Sequence, residues 1–145
     1  MELTSPAFTN NSPIPDKYTC KGEGISPPLN INSIPTGTQS LALVVHDPDA
    51  PSGNFAHWLV WNISNTTTAL KENTLPSGAT QGLNDFNQTG YGAPCPPNGT
   101  HRYIFKVYAL NRQLSLDPGA HSYALMANLE GHVLAKAELI GLVSA

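Results

Sequence analysis

Prolines and glycines interrupt this chain at short intervals, and that punctuation limits its fold more than any other feature. The sequence has 13 prolines and 12 glycines among 145 residues. Proline removes a backbone donor and clashes inside a helix, and both residues suit short strands joined by tight turns. A helical bundle or coiled coil is excluded. The length fits one domain with a core of its own, residues 1–145. Charged residues make up only 12% and the net charge is −3. Lys and Arg form no block of the kind that displaces counterions from nucleic acid, so no nucleic-acid partner is expected. No apolar run is long enough for an integral membrane segment. The opening residues Met1 to Pro6 do not read as a signal peptide, which leads to the expectation of a cytoplasmic protein with free thiols at Cys20 and Cys95.

Three stretches read as strands. Leu41 to Val45 is a short apolar run ended by Asp47-Pro48, as expected of a strand buried on both faces. His57 to Ile63 is the second, with Trp58 and Trp61 on opposite faces. His101 to Leu110 is the third. Alternation puts His101, Tyr103, Phe105 and Val107 on one face and Arg102, Ile104, Lys106 and Tyr108 on the other. One helix is predicted, capped by Ser122 and running from Tyr123 to about Ala137, with His132 at its middle. Its stripe is Leu125, Met126, Leu129, Val133, Leu134 and Ala137, with Met126 read as core filler. Glu138 to Val143 reads as a last strand. Tyr18, with Asp16 and Lys17, reads as an ordinary surface turn. The expected fold class is all-β, an antiparallel β-sandwich with one late helix and short helical turns.

Ionisable groups are so few that their local concentrations stand out. In DPDAP (47–51), Pro48 and Pro51 hold the backbone on either side of Asp49. The plain reading is a turn closed by side-chain to backbone bonds. His57 follows a short loop, and hairpin logic returns it beside DPDAP. In GYGAPCPPNGTHRY (90–103), a stiff Gly/Pro loop feeds a strand whose first same-face residues are His101 and Tyr103. Gly-rich loops present backbone amides to anions, and imidazole and phenol groups add donors. His46 turns away from Asp47 by strand alternation. Arg102, on the opposite face from His101, reads as structural.

Two alternatives attach to these same residues. Asp47, His57 and His101 form a two-His, one-carboxylate set of the kind that holds iron or zinc, although no H-x-H or HExxH spacing ties two of them together. Cys95, six residues before His101, is the thiol of a Cys- or His-dependent hydrolase reading, although Pro94 and Pro96 stiffen its loop and no G-x-S-x-G elbow is present.

DPDAP, HWLVWNI and YGAPCPPNGTHRYIFKVYAL occur together in this order, with SPAF (5–8), ISPPL (25–29), NDF (84–86) and GHVLAKAELIGL (131–142). The chain thereby resembles the phosphatidylethanolamine-binding protein family, which includes Raf kinase inhibitor protein, in its short bacterial and archaeal branch. The resemblance implies a β-sandwich with a small pocket for an anion, phosphate or phospholipid head group, and no catalytic residue, metal or cofactor. By motif, it assigns that pocket to Asp47, His57, His101 and Tyr103. Pro96 and Pro97 lie on the rim, and Asp49, Ala50 and Pro51 shape the facing turn. It implies a regulatory inhibitor with a kinase or protease target, and self-association as a homodimer. Ala93 stands where relatives usually carry Gly, so its β-carbon is expected to tighten the loop. The extra C-terminal helix of the animal members has no counterpart here.

Overall fold

A computed structural model describes every residue, Met1–Ala145. The strands are β1 (Glu2–Thr4), β2 (Ser12–Pro13), β3 (Leu29–Asn32), β4 (Ser40–Asp47), β5 (Phe55–Ile63), β6 (Ala69–Leu70), β7 (Thr80–Gln81), β8 (Thr100–Leu110) and β9 (Val133–Ser144). A 3-10 turn covers Asp16–Tyr18, and the single helix is α1 (Ser122–Leu129). A three-stranded sheet, β1-β3-β6, faces a six-stranded sheet ordered β2-β9-β8-β4-β5-β7. All pairings are antiparallel except that of β2 with β9. This is the expected sandwich.

The main core lies between the sheets. Leu3, Leu29 and Ile31 from the small sheet meet Leu41, Leu43, Val45, Phe105 and Val107 from the large one. A second core on the outer face of the large sheet packs Ala42, Val44, Leu59, Trp61 and Tyr108 beneath Leu125 and Leu129 of α1. With apolar layers on both sides, β4 has no solvent face, which is why its sequence is a continuous apolar run. Trp58 packs in the inner core and Trp61 in the outer one, so both are buried.

Five local expectations are corrected. The helix stops at Leu129, because Gly131 takes a positive φ of 81° and turns the chain into β9. Val133 to Ala137 therefore belongs to a strand with the expected Glu138 to Val143, and His132 lies in the connection. The N-cap is His121, and it makes no side-chain cap bond. Met126 is 43% exposed, because only Leu125 and Leu129 of α1 face the sheet. Tyr18 is buried at 6% exposure and its hydroxyl donates to Glu72 Oε1 at 2.8 Å, so the Asp16–Tyr18 turn supplies core. Cys20 and Cys95, expected as free thiols, form a disulfide. The Cys20 amide donates to the Pro94 carbonyl at 3.1 Å, which lays the two loops side by side.

Candidate functional site

The ends of β4, β5 and β8 bring three distant parts of the sequence to one place. Asp47 closes β4 on the same inner face as Val45 and Leu43. His101 and Tyr103 start β8 on that face too, as alternation predicted, and are 6% and 1% exposed. His57 reaches the inner side by a different device. Val45 pairs with Trp58 but His46 pairs with Ala56, so His57 is the extra residue of a β-bulge. Ala56 packs in the outer core while Trp58 packs in the inner one, and the bulge between them turns His57 beside Asp47.

These side chains line a cavity of about 270 Å³. Its floor is Asp47, His57, His101 and Tyr103, and its walls are Ala50, Pro51 and Ser52 on one side and Cys95, Pro96 and Pro97 on the other. Phe55 and Phe86 complete it. The His101 Nδ1–H donates to Asp47 Oδ2 at 2.7 Å, and Asp47 Oδ1 accepts the Asp49 amide at 2.8 Å. The His57 Nδ1–H donates to the Gly92 carbonyl at 2.7 Å. These bonds fix both ring tautomers. Neither Nε2 has a protein partner, and no buried side-chain nitrogen or oxygen is left unpaired, so both Nε2 atoms open on the cavity.

Aromatic contacts hold the rings in place. His57 meets Tyr103 at 5.1 Å, Phe55 at 5.1 Å and Phe86 at 5.3 Å between centroids. Burial pushes the His57 pKa below its ordinary value, against the raising effect of its bond to Gly92. Burial, followed by the Asp47 charge, pushes the Tyr103 phenol up, so it stays a neutral donor. No Lys or Arg lines the cavity, so any positive charge there comes from a protonated imidazole.

Asp49 is the member of the expected set that lies outside the lining. Its carboxylate takes a two-pronged bond from Arg102, Nε to Oδ2 at 2.9 Å and Nη2 to Oδ1 at 2.8 Å, and also accepts the Arg102 amide at 2.9 Å. Asp49 thus clamps the DPDAP turn to β8, the structural task expected of Arg102. His46 points to the opposite face and bonds Asn54. Ala93 also lies off the cavity. Its β-carbon would stand 3.2 Å from a β-carbon built on Gly24, so it fills the space between the two loops joined by the disulfide.

Phe55, Phe86 and Ser52 are lining residues that the sequence reading passed over. Phe86 belongs to the NDF stretch, and its signal was Asn84. That side chain is 1% exposed, donates to the Gly90 carbonyl, and accepts the Phe86 and Gln88 amides. Gly92 then has to be glycine, since a β-carbon there would fall 2.5 Å from the Phe86 ring. A larger cavity, about 540 Å³, opens on the outer face between α1 and the sheet, lined by His46, Lys106, Tyr123 and Met126 among others. It lacks the converging buried donors that distinguish the smaller one.

The two alternatives fare differently from the pocket geometry. No group of three or more His, Cys, Asp or Glu side chains is arranged to hold a metal ion. The Cys95 sulfur is tied to Cys20, which leaves no thiolate for nucleophilic attack.

The family model for phosphatidylethanolamine-binding protein matches residues 4–144. The chain belongs to the phosphatidylethanolamine-binding protein family. A relative from Methanothermobacter thermautotrophicus, described as a UPF0098 protein, is 48% identical over 98% of this chain and 97% of its own length. The crystal structure of a putative family homologue from Chlamydia trachomatis superposes with a TM-score of 0.95 at 43% identity, covering 99% of this chain and 97% of that one. Escherichia coli YbcL, described as a new member of the mammalian family, gives a TM-score of 0.93 at 33% identity, with 99% and 98% covered. No helix in the chain is long and apolar enough to cross a membrane.

Proposed function

We propose that this family member is a non-catalytic binding protein whose cavity takes a small phosphorylated anion, such as phosphate or a phospholipid head group, and which acts as an inhibitor of a kinase or protease. One observation carries the reading: two buried imidazoles, each held through Nδ1, present free Nε2 atoms to one cavity. Protonated, each Nε2 becomes a donor for an oxyanion, with the Tyr103 hydroxyl beside them. The apolar walls, Pro51, Phe55, Phe86, Pro96 and Pro97, suit the carbon portion of a head group. The ligand-binding residues on this reading are Asp47, His57, His101 and Tyr103, with Ala50, Pro51, Pro96 and Pro97 as walls. Asp49 acts by holding the turn.

Asp47 matters as much as the histidines. Its carboxylate orients the His101 ring through Nδ1, and its negative charge opposes an anion placed beside it. Binding is therefore coupled to proton uptake, and affinity increases as the pH falls through the histidine range. The disulfide bears on location. Cytoplasmic reductants keep such pairs open, so the joined form of the rim fits an oxidising setting better than the cytoplasm expected from sequence. Calorimetry with inorganic phosphate at pH 6 tests the proposal. Saturable binding by the wild type and none by His101→Ala supports it. Equal heats from both proteins would overturn it.

A further inference from the structure

The larger cavity, about 540 Å³, lies on the opposite face of the six-stranded sheet from Asp47 and His101, and phosphate binding makes no use of it. Strand alternation turns Val44, His46, Lys106 and Tyr108 outward to line its sheet side. One flank of α1 supplies the other wall with Tyr123, Met126 and Ala127, and Glu130 follows at the helix end. The volume falls within the range of small-molecule sites. Tyr123 is 87% exposed and Met126 43%, so an aromatic ring and a thioether stand uncovered beside it.

The polar groups of this cavity accept hydrogen bonds or carry uncompensated negative charge. The His46 Nδ1–H donates to Asn54 Oδ1 at 2.6 Å, which leaves Nε2 as a lone-pair acceptor. Burial lowers the His46 pKa, so the ring stays neutral. Tyr108 is only 7% exposed and its hydroxyl has no protein partner; because no buried side-chain oxygen is left unpaired, that hydroxyl opens on the cavity. An unpartnered hydroxyl on so buried a residue is a place prepared for a ligand group. Lys106, the one permanent cation of the lining, is balanced by Glu138, whose Oε1 lies 3.6 Å from its Nζ. Glu130 makes no ion pair. It caps the C-terminus of α1, where the helix dipole already places negative charge and the last turn holds no basic residue. A cation at that point would relieve both.

We propose that this outer cavity is a second ligand site, for an arylalkylamine. The ammonium group sits beside Glu130 at the end of α1, and the ring lies against Met126 and Tyr123. Sulfur–aromatic and ring–ring contacts hold the apolar part. The Tyr108 hydroxyl and His46 Nε2 are left to bond a hydroxyl carried on the ring. The charge preference is the reverse of that of the smaller cavity. The thickness of the sheet separates the two, so they fill independently.

Calorimetry and amide-resolved NMR with tyramine test this, with 3-(4-hydroxyphenyl)propionate as the probe of the same shape and opposite charge. Tyramine binds saturably and moves the amide resonances of residues 122–130 and Tyr108, while the propionate binds about tenfold more weakly or not at all. Glu130→Gln weakens tyramine about fivefold. Ala127→Trp, at an exposed position of the helix, fills the cavity and abolishes binding, with circular dichroism to show that the variant is folded. Saturating phosphate leaves the tyramine affinity unchanged. The absence of saturable tyramine binding overturns the proposal. Equal binding of the two probes, displacement of tyramine by phosphate, or binding that survives Ala127→Trp overturns it equally.

Discussion

Asp47 and Asp49 stand two residues apart in one proline-braced turn, and both reach across to the start of β8. Asp47 pairs with His101, and the two side chains are 4% and 8% exposed. Asp49 pairs with Arg102, and those side chains are 31% and 53% exposed. The chemistry looks parallel, carboxylate to cation on adjacent residues of one strand, but the consequences diverge. Arg102 is always charged and always satisfied by Asp49, so that pair does nothing except hold the turn. His101 is held through Nδ1 alone and keeps a second nitrogen free, so its pair can respond to a ligand. Strand alternation alone assigns the roles. Odd residues of β8 face the inner core, even ones the outer face of the sheet, where Arg102 lies exposed at the strand's start, and the turn supplies one carboxylate to each.

The sharpest break comes from His101→Ala. It strands the buried Asp47 carboxylate, which costs about 3 kcal/mol of stability, and it abolishes phosphate binding. Urea unfolding and calorimetry measure the two losses. Next comes Tyr103→Phe, which keeps the ring contacts with His57 and removes one donor; phosphate affinity falls about tenfold, equivalent to about 1.4 kcal/mol, with thermal stability nearly unchanged. Arg102→Ala frees Asp49 and loosens the turn without touching the lining. It produces a small stability loss that 0.5 M salt erases and a drop in phosphate affinity of about threefold, because the wall formed by Ala50 and Pro51 is less well held.

The pH dependence separates the pairs most finely. Burial depresses the folded-state pKa of His57, so the unfolded chain takes up a proton first as the pH falls. The stability linked to neutral His57 is present above about pH 6.5 and is lost as pH drops below it toward the folded value. Arg102 depresses Asp49, so that contribution survives until the pH falls below about 3.8. Thermal melts should show two separate losses, the upper one relieved by phosphate and the lower one abolished in Arg102→Ala.

Much of this was legible in the residues. The three long strands follow from apolar runs bounded by turn residues, and the inward set His101, Tyr103, Phe105 and Val107 follows from alternation. The end of the helix was not legible, because Leu129, Val133, Leu134 and Ala137 satisfy a helical spacing. Only the positive φ of Gly131 shows that the chain changes direction between them. Tyr18 was hidden by its neighbours, since a lone aromatic beside Asp16 and Lys17 gives no sign of the core it joins. The approach of His57 depended on a one-residue bulge that no local pattern announces. Motif resemblance placed Asp47, His57, His101 and Tyr103 together; periodicity alone could align only those within one strand. It also grouped Asp49 with them, and there the geometry drew the finer line.

The most direct measurement follows the imidazole resonances by NMR during titration with sulfate, an oxyanion whose own charge stays fixed across the histidine range. The account predicts that saturating sulfate raises the apparent pKa of His57 and moves the His101 resonances with the same midpoint, while His121 and His132, outside the cavity, stay unaffected. Uniform small shifts of all the histidines, or none at His57 and His101, would contradict it.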